Sequence, residues 1–306
     1  MVRFATFNCE NLFFRYKFKE GKKPSEEGVL INSLAYDFYN EDEKALTAEA
    51  VDEVKADIIC LQEVESLRLL HKFDSELLKK NDYEYKFLID GRDPRRINVA
   101  VLSKYPIISG RTHINERSSL PKTTWLFSRD CLEVVIDVDG KPLSLYINHF
   151  KSMLDMGAKS EEEARNNTRP HRLEQANRVK EIIDQKWQET DYAGKFIVAG
   201  DLNTYPDEGN SLEPLLNHPG LVNVIERLPE DERWTHFYQK KKQYTQLDYI
   251  LLSKSLAEHN SNKPELMRKG LPLKAEKYSG DRFKGVGKSK PKSSDHCPFY
   301  IDLELE

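Results

Sequence analysis

The sequence lacks any apolar run approaching the roughly 20 residues that span a bilayer as a helix, so no transmembrane helix is expected among its 306 residues. It also lacks a basic segment followed by an apolar one at its start. Residues 2–7 already read as a strand, so no secretory signal is expected. Cysteine is scarce and unpatterned: Cys9, Cys60, Cys131 and Cys297 have neither zinc-site nor dithiol-redox spacing. Buried, reduced thiols in a cytoplasmic setting are the expectation. Strong positive charge is missing as well, since a net charge of −4 excludes an all-over basic coat for nucleic acid. No internal repeat is visible. What remains, with 39% hydrophobic and 32% charged residues, is the composition of an ordinary globular protein.

Charge is unevenly distributed. Residues 268–292 hold nine Lys/Arg against Glu276 and Asp281, a local +7 that leaves −11 for the rest of the chain. Runs rich in Val, Ile, Phe and Tyr predict strands at 2–7, 57–61, 85–89, 99–102, 131–138, 143–150, 195–199, 247–252 and 299–303. The DGK at 139–141 joins two of them with hairpin chemistry. Helical periodicity predicts helices over 43–55, 67–80 and 170–187, the last with Pro170 in its first turn. Polar stretches at 15–40, 154–169 and 260–294 read as loops or insertions. Strands and helices alternate along the whole length, which predicts an α/β protein.

Six polar motifs punctuate that pattern, each where an apolar run ends: FNCENLF with Asn8 and Glu10, LQEVE with Glu63, INVAVLS with Asn98, INHFKS with His149 and Lys151, GDLN with Asp201 and Asn203, and QLDYILLS with SDHCPF, carrying Asp248, Asp295 and His296. Carboxylates, amides and imidazoles at strand ends supply what metal-assisted phosphoester hydrolysis requires. A hard divalent cation takes oxygen ligands, few from protein and the rest from water and phosphate. Asp201 and Asn203 are two apart and share one side of an extended chain, whereas Asp295 and His296 fall on opposite sides and are free to serve different roles. Because the motifs come from both ends of the sequence, residues 1–306 read as one domain.

The order and wording of these motifs resemble the endonuclease/exonuclease/phosphatase superfamily, over essentially the whole chain. The resemblance implies a four-layer α/β sandwich of two packed mixed β-sheets flanked by helices. It also implies Mg²⁺, with Mn²⁺ as a substitute, held by Asn8, Glu63 and Asp295, with Glu10 in the outer shell. Asp201 would orient or deprotonate the attacking water, and Asn203 would help position it. His296 would contact the scissile phosphate, with Asp248 as its carboxylate partner. His149 resembles the histidine that pairs with a glutamate in pancreatic-type DNases. Asn98 stands at the corresponding position here, so His149 is expected to donate to phosphate rather than act as general acid. Lys151 is a further expected phosphate contact.

The wording of FNCENLF with NHFKS is most similar to bacterial DNA nucleases of the superfamily, and the basic segment suits a polyanion. The expectation is therefore a Mg²⁺-dependent endonuclease whose substrate is DNA, with RNA as a second substrate and no stable membrane association. A phosphodiesterase or phosphatase acting on a lipid or inositol phosphate headgroup is the alternative within the class. A catalytically dead binding module is the alternative outside it.

Overall fold

The computed structural model describes residues 1–17, 35–80, 82–121 and 123–305. Its centre is two six-stranded mixed sheets packed face to face. In the first, the order is Glu265–Leu266, Phe299–Leu303, Val2–Leu12, Ile58–Val64, Asn98–Ser103 and Tyr85–Leu88. In the second it is Leu221–Asn223, Asp248–Ser253, Phe196–Asp201, Lys141–His149, Cys131–Val138 and Ile107–Arg111. Each sheet has one parallel pair at its middle, Val2–Leu12 with Ile58–Val64 and Lys141–His149 with Phe196–Asp201, and antiparallel partners outside it. Parallel neighbours end on the same side, which brings the polar ends of four central strands to one rim of the sandwich.

Period-two alternation assigns the faces. Phe4, Cys60, Val99 and Val101 of the first sheet meet Leu145, Ile147, Ile197, Ala199 and Ile250 of the second in the central core. The intervening Ala5, Phe7, Ile59, Leu61 and Leu102 turn outward to Val51, Val54, Leu69, Leu70 and Phe73 of the helices Glu41–Val54 and Leu67–Glu76. On the far side, Tyr146, Phe196, Val198 and Leu251 meet Ala176, Val179 and Ile183 of the helix Glu161–Trp187. Each fully buried Ile, Leu or Phe in this alternation contributes about 1.5–3 kcal/mol. The result is the expected four-layer α/β sandwich.

Local chemistry explains most element ends, including some the sequence misjudges. The DGK hairpin forms with positive φ at Asp139 and Gly140, the pairing a two-residue primed turn requires. The third helix begins at Glu161, not at Pro170, so 161–169 is helical where a loop is expected. Its first turns carry no apolar stripe. Their order comes from Ser160, whose Oγ accepts from Glu163 N at 3.1 Å, and from Glu161, Glu162 and Glu163 at the positive end of the helix dipole. In the stretch 15–40, Phe14–Lys17 pairs antiparallel with Ala35–Phe38, and 18–34 lie outside the described residues. Ile107–Arg111, Leu221–Asn223 and the hairpin of His236–Tyr238 with Gln243–Thr245 are strands too short or too polar to stand out by pattern. Among the described residues, no helix is long and apolar enough to cross a membrane.

All four cysteines are buried and unpaired. Burial pushes the Cys9 and Cys297 thiols up to about 12 and raises those of Cys60 and Cys131 as well. Thiolates are therefore scarce and shielded. Ellman's reagent is expected to leave the native protein essentially unlabelled over minutes and to titrate all four thiols in guanidinium chloride. Rapid native labelling of any of them would contradict the packing.

Candidate active site

Strand register builds one half of the site. Asp201 is paired with His149 on one side and with Asp248 on the other, so three polar residues stand in a row across adjacent strands. Gly200 makes this crossing possible. Its φ is +131°, and a Cβ there would lie 1.9 Å from the Asn148 carbonyl oxygen. Only glycine allows the two backbones to approach this closely.

Two bulges build the other half. Register shifts between Asn8 and Leu12 and between Gln62 and Val64 interrupt the first sheet at its rim. Glu10, Asn11 and Glu63 take left-handed φ values of 45°, 63° and 65° there. Bulges at strand ends re-aim side chains, and left-handed non-glycine residues persist only where the surroundings over-determine them. The surroundings do so here. Lys44, buried, donates from Nζ to the carbonyls of Cys9 at 2.9 Å and Glu10 at 2.7 Å. Glu63 Oε2 accepts from Asn11 N at 2.9 Å, and Asn8 Oδ1 accepts from Glu10 N at 3.0 Å.

The halves meet at Asp201. Asn8 Nδ2 donates to its Oδ2 at 3.0 Å, His149 Nε2 lies 3.4 Å from that oxygen, and His296 Nε2 lies 3.9 Å from it. The other oxygen, Oδ1, accepts from Asn203 N at 2.8 Å. His296 Nδ1 lies 2.8 Å from Asp248 Oδ2, which also accepts from Thr235 Oγ1 at 2.7 Å. The segment carrying His296 is tied in place by Ser294 Oγ, which donates to Asn8 O at 2.7 Å, and by Thr47 Oγ1, which donates to Ser293 O at 2.6 Å.

These surroundings give the two histidines different charge states. Burial works against the His296 cation, but Asp248, then Asp201 and Asp295, hold its pKa up at about 10, so the ring is imidazolium at neutral pH. Burial, with Arg129 and His296 adding repulsion, holds His149 well below the ordinary histidine value, so it is neutral. Burial also pushes Asp201 up to about 7, against the pull of His296. A carboxylate of raised basicity thus sits between one charged and one neutral imidazole, the separation of roles that acid–base chemistry at neutral pH requires.

Beside this group lie the carboxylates of Glu10 and Asp295. Lys292 Nζ is 2.6 Å from Glu10 Oε2 and 3.9 Å from Asp295 Oδ2. Burial and the Asp295 charge push Glu10 up to about 7 even with Lys292 bound to it. Burial works against the Asp295 charge too, yet Lys292, His236 and His296 hold its carboxyl well below the usual carboxylate range. The carboxylates of Glu10 and Asp295, with Glu63 held to Asn11 N, are oxygen donors of the kind a hard divalent cation takes, although Lys292, His236 and His296 already offset part of their charge. His236, Asp295 and His296 also place one ligand atom each within 4.8 Å of one another. His296, however, is already held by Asp248 through Nδ1 and faces Asp201 through Nε2.

Of the residues expected from the sequence, Asn8, His149, Asp201, Asn203, Asp248, Asp295 and His296 are brought together. Asn8 commits its amide to Asp201 and to Glu10 N. Asn98 does not reach the His149 ring: its Oδ1 accepts from Gly91 N at 2.8 Å and its Nδ2 donates to Glu65 O at 3.0 Å. His149 Nδ1 has no hydrogen-bond partner among the described residues. Lys151 Nζ donates to the carbonyls of Ser152 and Leu154, both at 3.0 Å. Burial, then Arg129 and Arg172, lower its pKa to about 8.

Four residues carry roles that the sequence does not signal. Lys44 and Thr235 brace the site, and His236 faces Asp295 at 3.8 Å. Arg129 donates from Nη1 to Phe150 O at 2.8 Å, the carbonyl that also accepts from Asn203 Nδ2 at 3.2 Å. The basic segment is also altered by the fold. Arg268 caps the Trp234 ring at 4.0 Å, Lys269 pairs with Glu53 and Lys290 with Glu43, and Arg282 lies over Tyr278 at 4.3 Å. Much of its charge therefore holds the segment to the body of the protein.

Two mixed sheets with this set of strand-end carboxylates, amides and imidazoles at one rim define a hydrolase of the α/β-sandwich phosphoesterase class. The chain belongs to the endonuclease/exonuclease/phosphatase family, whose model matches residues 4–305. Members of that family are hydrolases acting on phosphoester bonds and typically use divalent metals. No curated protein matches the chain by sequence. Among solved structures it is similar to a family protein from Leptotrichia buccalis C-1013-b, at 15% identity and a TM-score of 0.61, covering 99% of this chain and 100% of that one. It is similar also to the mannosyl-6-phosphatase Bt3783 of Bacteroides thetaiotaomicron VPI-5482, at 16% identity and TM-score 0.60, covering 99% and 100%. Beta toxin from Staphylococcus aureus aligns at 15% identity and TM-score 0.63, covering all of both chains. At such identities the likeness is one of fold.

Proposed function

We propose that this protein is a divalent-metal-dependent phosphodiesterase that cleaves DNA endonucleolytically, and RNA as a second substrate. The observation that carries the reading is the Asp201 carboxylate, buried between His149, His296 and Asn8 and beside Glu10 and Asp295. Asp201 Oδ2 takes the proton of the attacking water, and its raised pKa makes it a competent acceptor. Asn203 and Arg129, joined at the Phe150 carbonyl, fix the floor on which that water and the phosphate sit. His296 presents a cationic N–H to a phosphate oxygen, with Asp248 and Thr235 fixing the ring; His149 offers a neutral one. Glu10, Glu63 and Asp295 would hold Mg²⁺ or Mn²⁺, which when bound would supply Lewis-acid stabilisation of the charge developing on the phosphate. In this reading Glu10 is a ligand, and Asn8 serves Asp201 by hydrogen bond. The single protein unit 1–306 carries the whole site.

A second reading, hydrolysis of a phosphorylated headgroup, is favoured by one feature. Leu154 and Met156, 65% and 99% exposed, follow the His149–Lys151 motif on its loop. Plasmid nicking with Mg²⁺ or Mn²⁺, run beside sphingomyelin and phosphoinositide hydrolysis, separates the two. Nicked plasmid that disappears with chelator is the expected result. Turnover of the headgroup substrates alone would replace the first reading with the second.

A further inference from the structure

Lys292 is the one residue of the basic segment whose ammonium enters the site. Its side chain is only 8% exposed, and Nζ lies between Glu10 Oε2 at 2.6 Å and Asp295 Oδ2 at 3.9 Å. The position is built. On the residues that follow it, Ser293 N donates to Gly270 O at 2.9 Å, Ser293 O accepts from Thr47, and Ser294 Oγ donates to Asn8 O. Gly270 allows this close docking, since a Cβ there would lie 2.6 Å from Ser293 Cβ. The facing residue is equally fixed, with the Glu10 carbonyl held by Lys44. A flexible surface lysine would sit in water. This one has exchanged solvent for two carboxylates, both in the donor set that fits the divalent ion.

We propose that Lys292 is a resident cation of the metal pocket: its ammonium holds Glu10 and Asp295 together in the metal-free protein and competes with the divalent ion for Glu10. The inference rests on the metal-dependent reading above. Two like charges a few ångströms apart, with little water between them, repel strongly. A bound divalent ion therefore weakens the Lys292–Glu10 pair, or the ammonium turns toward Asp295. Lys292 thus lowers intrinsic metal affinity and prevents the carboxylates from repelling one another when no metal is bound.

The test compares the wild-type protein with Lys292→Met and Lys292→Arg, reading thermal midpoints in chelator and Mn²⁺ affinity by calorimetry, both without substrate. Lys292→Met is expected to melt lower than wild type in chelator and to bind Mn²⁺ at least about tenfold more tightly. Saturating Mn²⁺ should restore its midpoint. Lys292→Arg, which keeps the charge, should bind Mn²⁺ within a few-fold of wild type. Unchanged or weaker Mn²⁺ binding by Lys292→Met, with wild type still binding the ion, overturns the inference and leaves the metal-dependent reading intact. Equal tightening by Lys292→Arg overturns it as well, since charge would not be the cause. If no form binds a divalent ion, the metal-dependent reading falls together with the inference.

Discussion

Asp201→Asn is expected to lower kcat on bis-p-nitrophenyl phosphate with Mg²⁺ by about 10²–10⁴-fold, the usual contribution of a positioned base, while the circular-dichroism spectrum and fold remain. The substitution is nearly isosteric, and the amide retains one oxygen to accept from Asn8 or from Asn203 N. It removes two things. An amide cannot take a proton from water, and it no longer offsets the His296 imidazolium 3.9 Å away. The second loss is directly visible: with Asp201 neutral, His296 should titrate at lower pH, since Asp201 is among the groups holding its pKa up. NMR of the imidazole resonances would report that shift without substrate. If Asp201→Asn kept more than about a tenth of wild-type turnover, Asp201 would not be the base.

The second large effect is structural. Gly200→Ala is expected to destabilise the protein by at least about 3 kcal/mol, because backbone overlap and a forbidden φ add. The added Cβ would lie 1.9 Å from Asn148 O, with φ at +131°. Relief requires the strands Lys141–His149 and Phe196–Asp201 to part at the point where they align His149 with Asp201. Stability in urea and kcat should therefore fall together. A loss below about 1 kcal/mol, the scale of an ordinary glycine substitution in a strand, would mean that these strands separate easily and that the register is not what sets the site.

The legible part of this protein was its chemistry. Phe196, Ile197, Val198 and Ala199 form an apolar strand that can end in Asp201 only at a rim, and the same reasoning located His149 and Asp248 at strand ends, whereas Asp295 lies in the segment leading into the strand Phe299–Leu303. The alternation of strand and helix patterns pointed to an α/β protein, and the resemblance in motif order and wording implied its four layers. The third helix was half legible. Its apolar stripe over 170–187 is plain, but its first nine residues are held by capping and charge, which leave no periodic signal. Asn98 shows the limit of reading a motif by position. Its place beside the VAVLS strand suggests a partner for His149, whereas its amide is engaged by Gly91 N and Glu65 O.

The sequence by itself determined the residue types, the strands they terminate and the class of reaction they serve, because those are properties of short contiguous segments. Tertiary structure decided charge and geometry. Burial and distance made His296 a cation and His149 neutral, although both are histidines facing the same aspartate, Asp201. The fold also divided the basic segment, pairing Lys269 and Lys290 with Glu53 and Glu43 and turning Lys292 inward to Glu10. A pKa, an ion pair or a close approach depends on atoms far apart in the chain. Lys292 and Glu10 lie near opposite ends of this one, and only folding puts 2.6 Å between them.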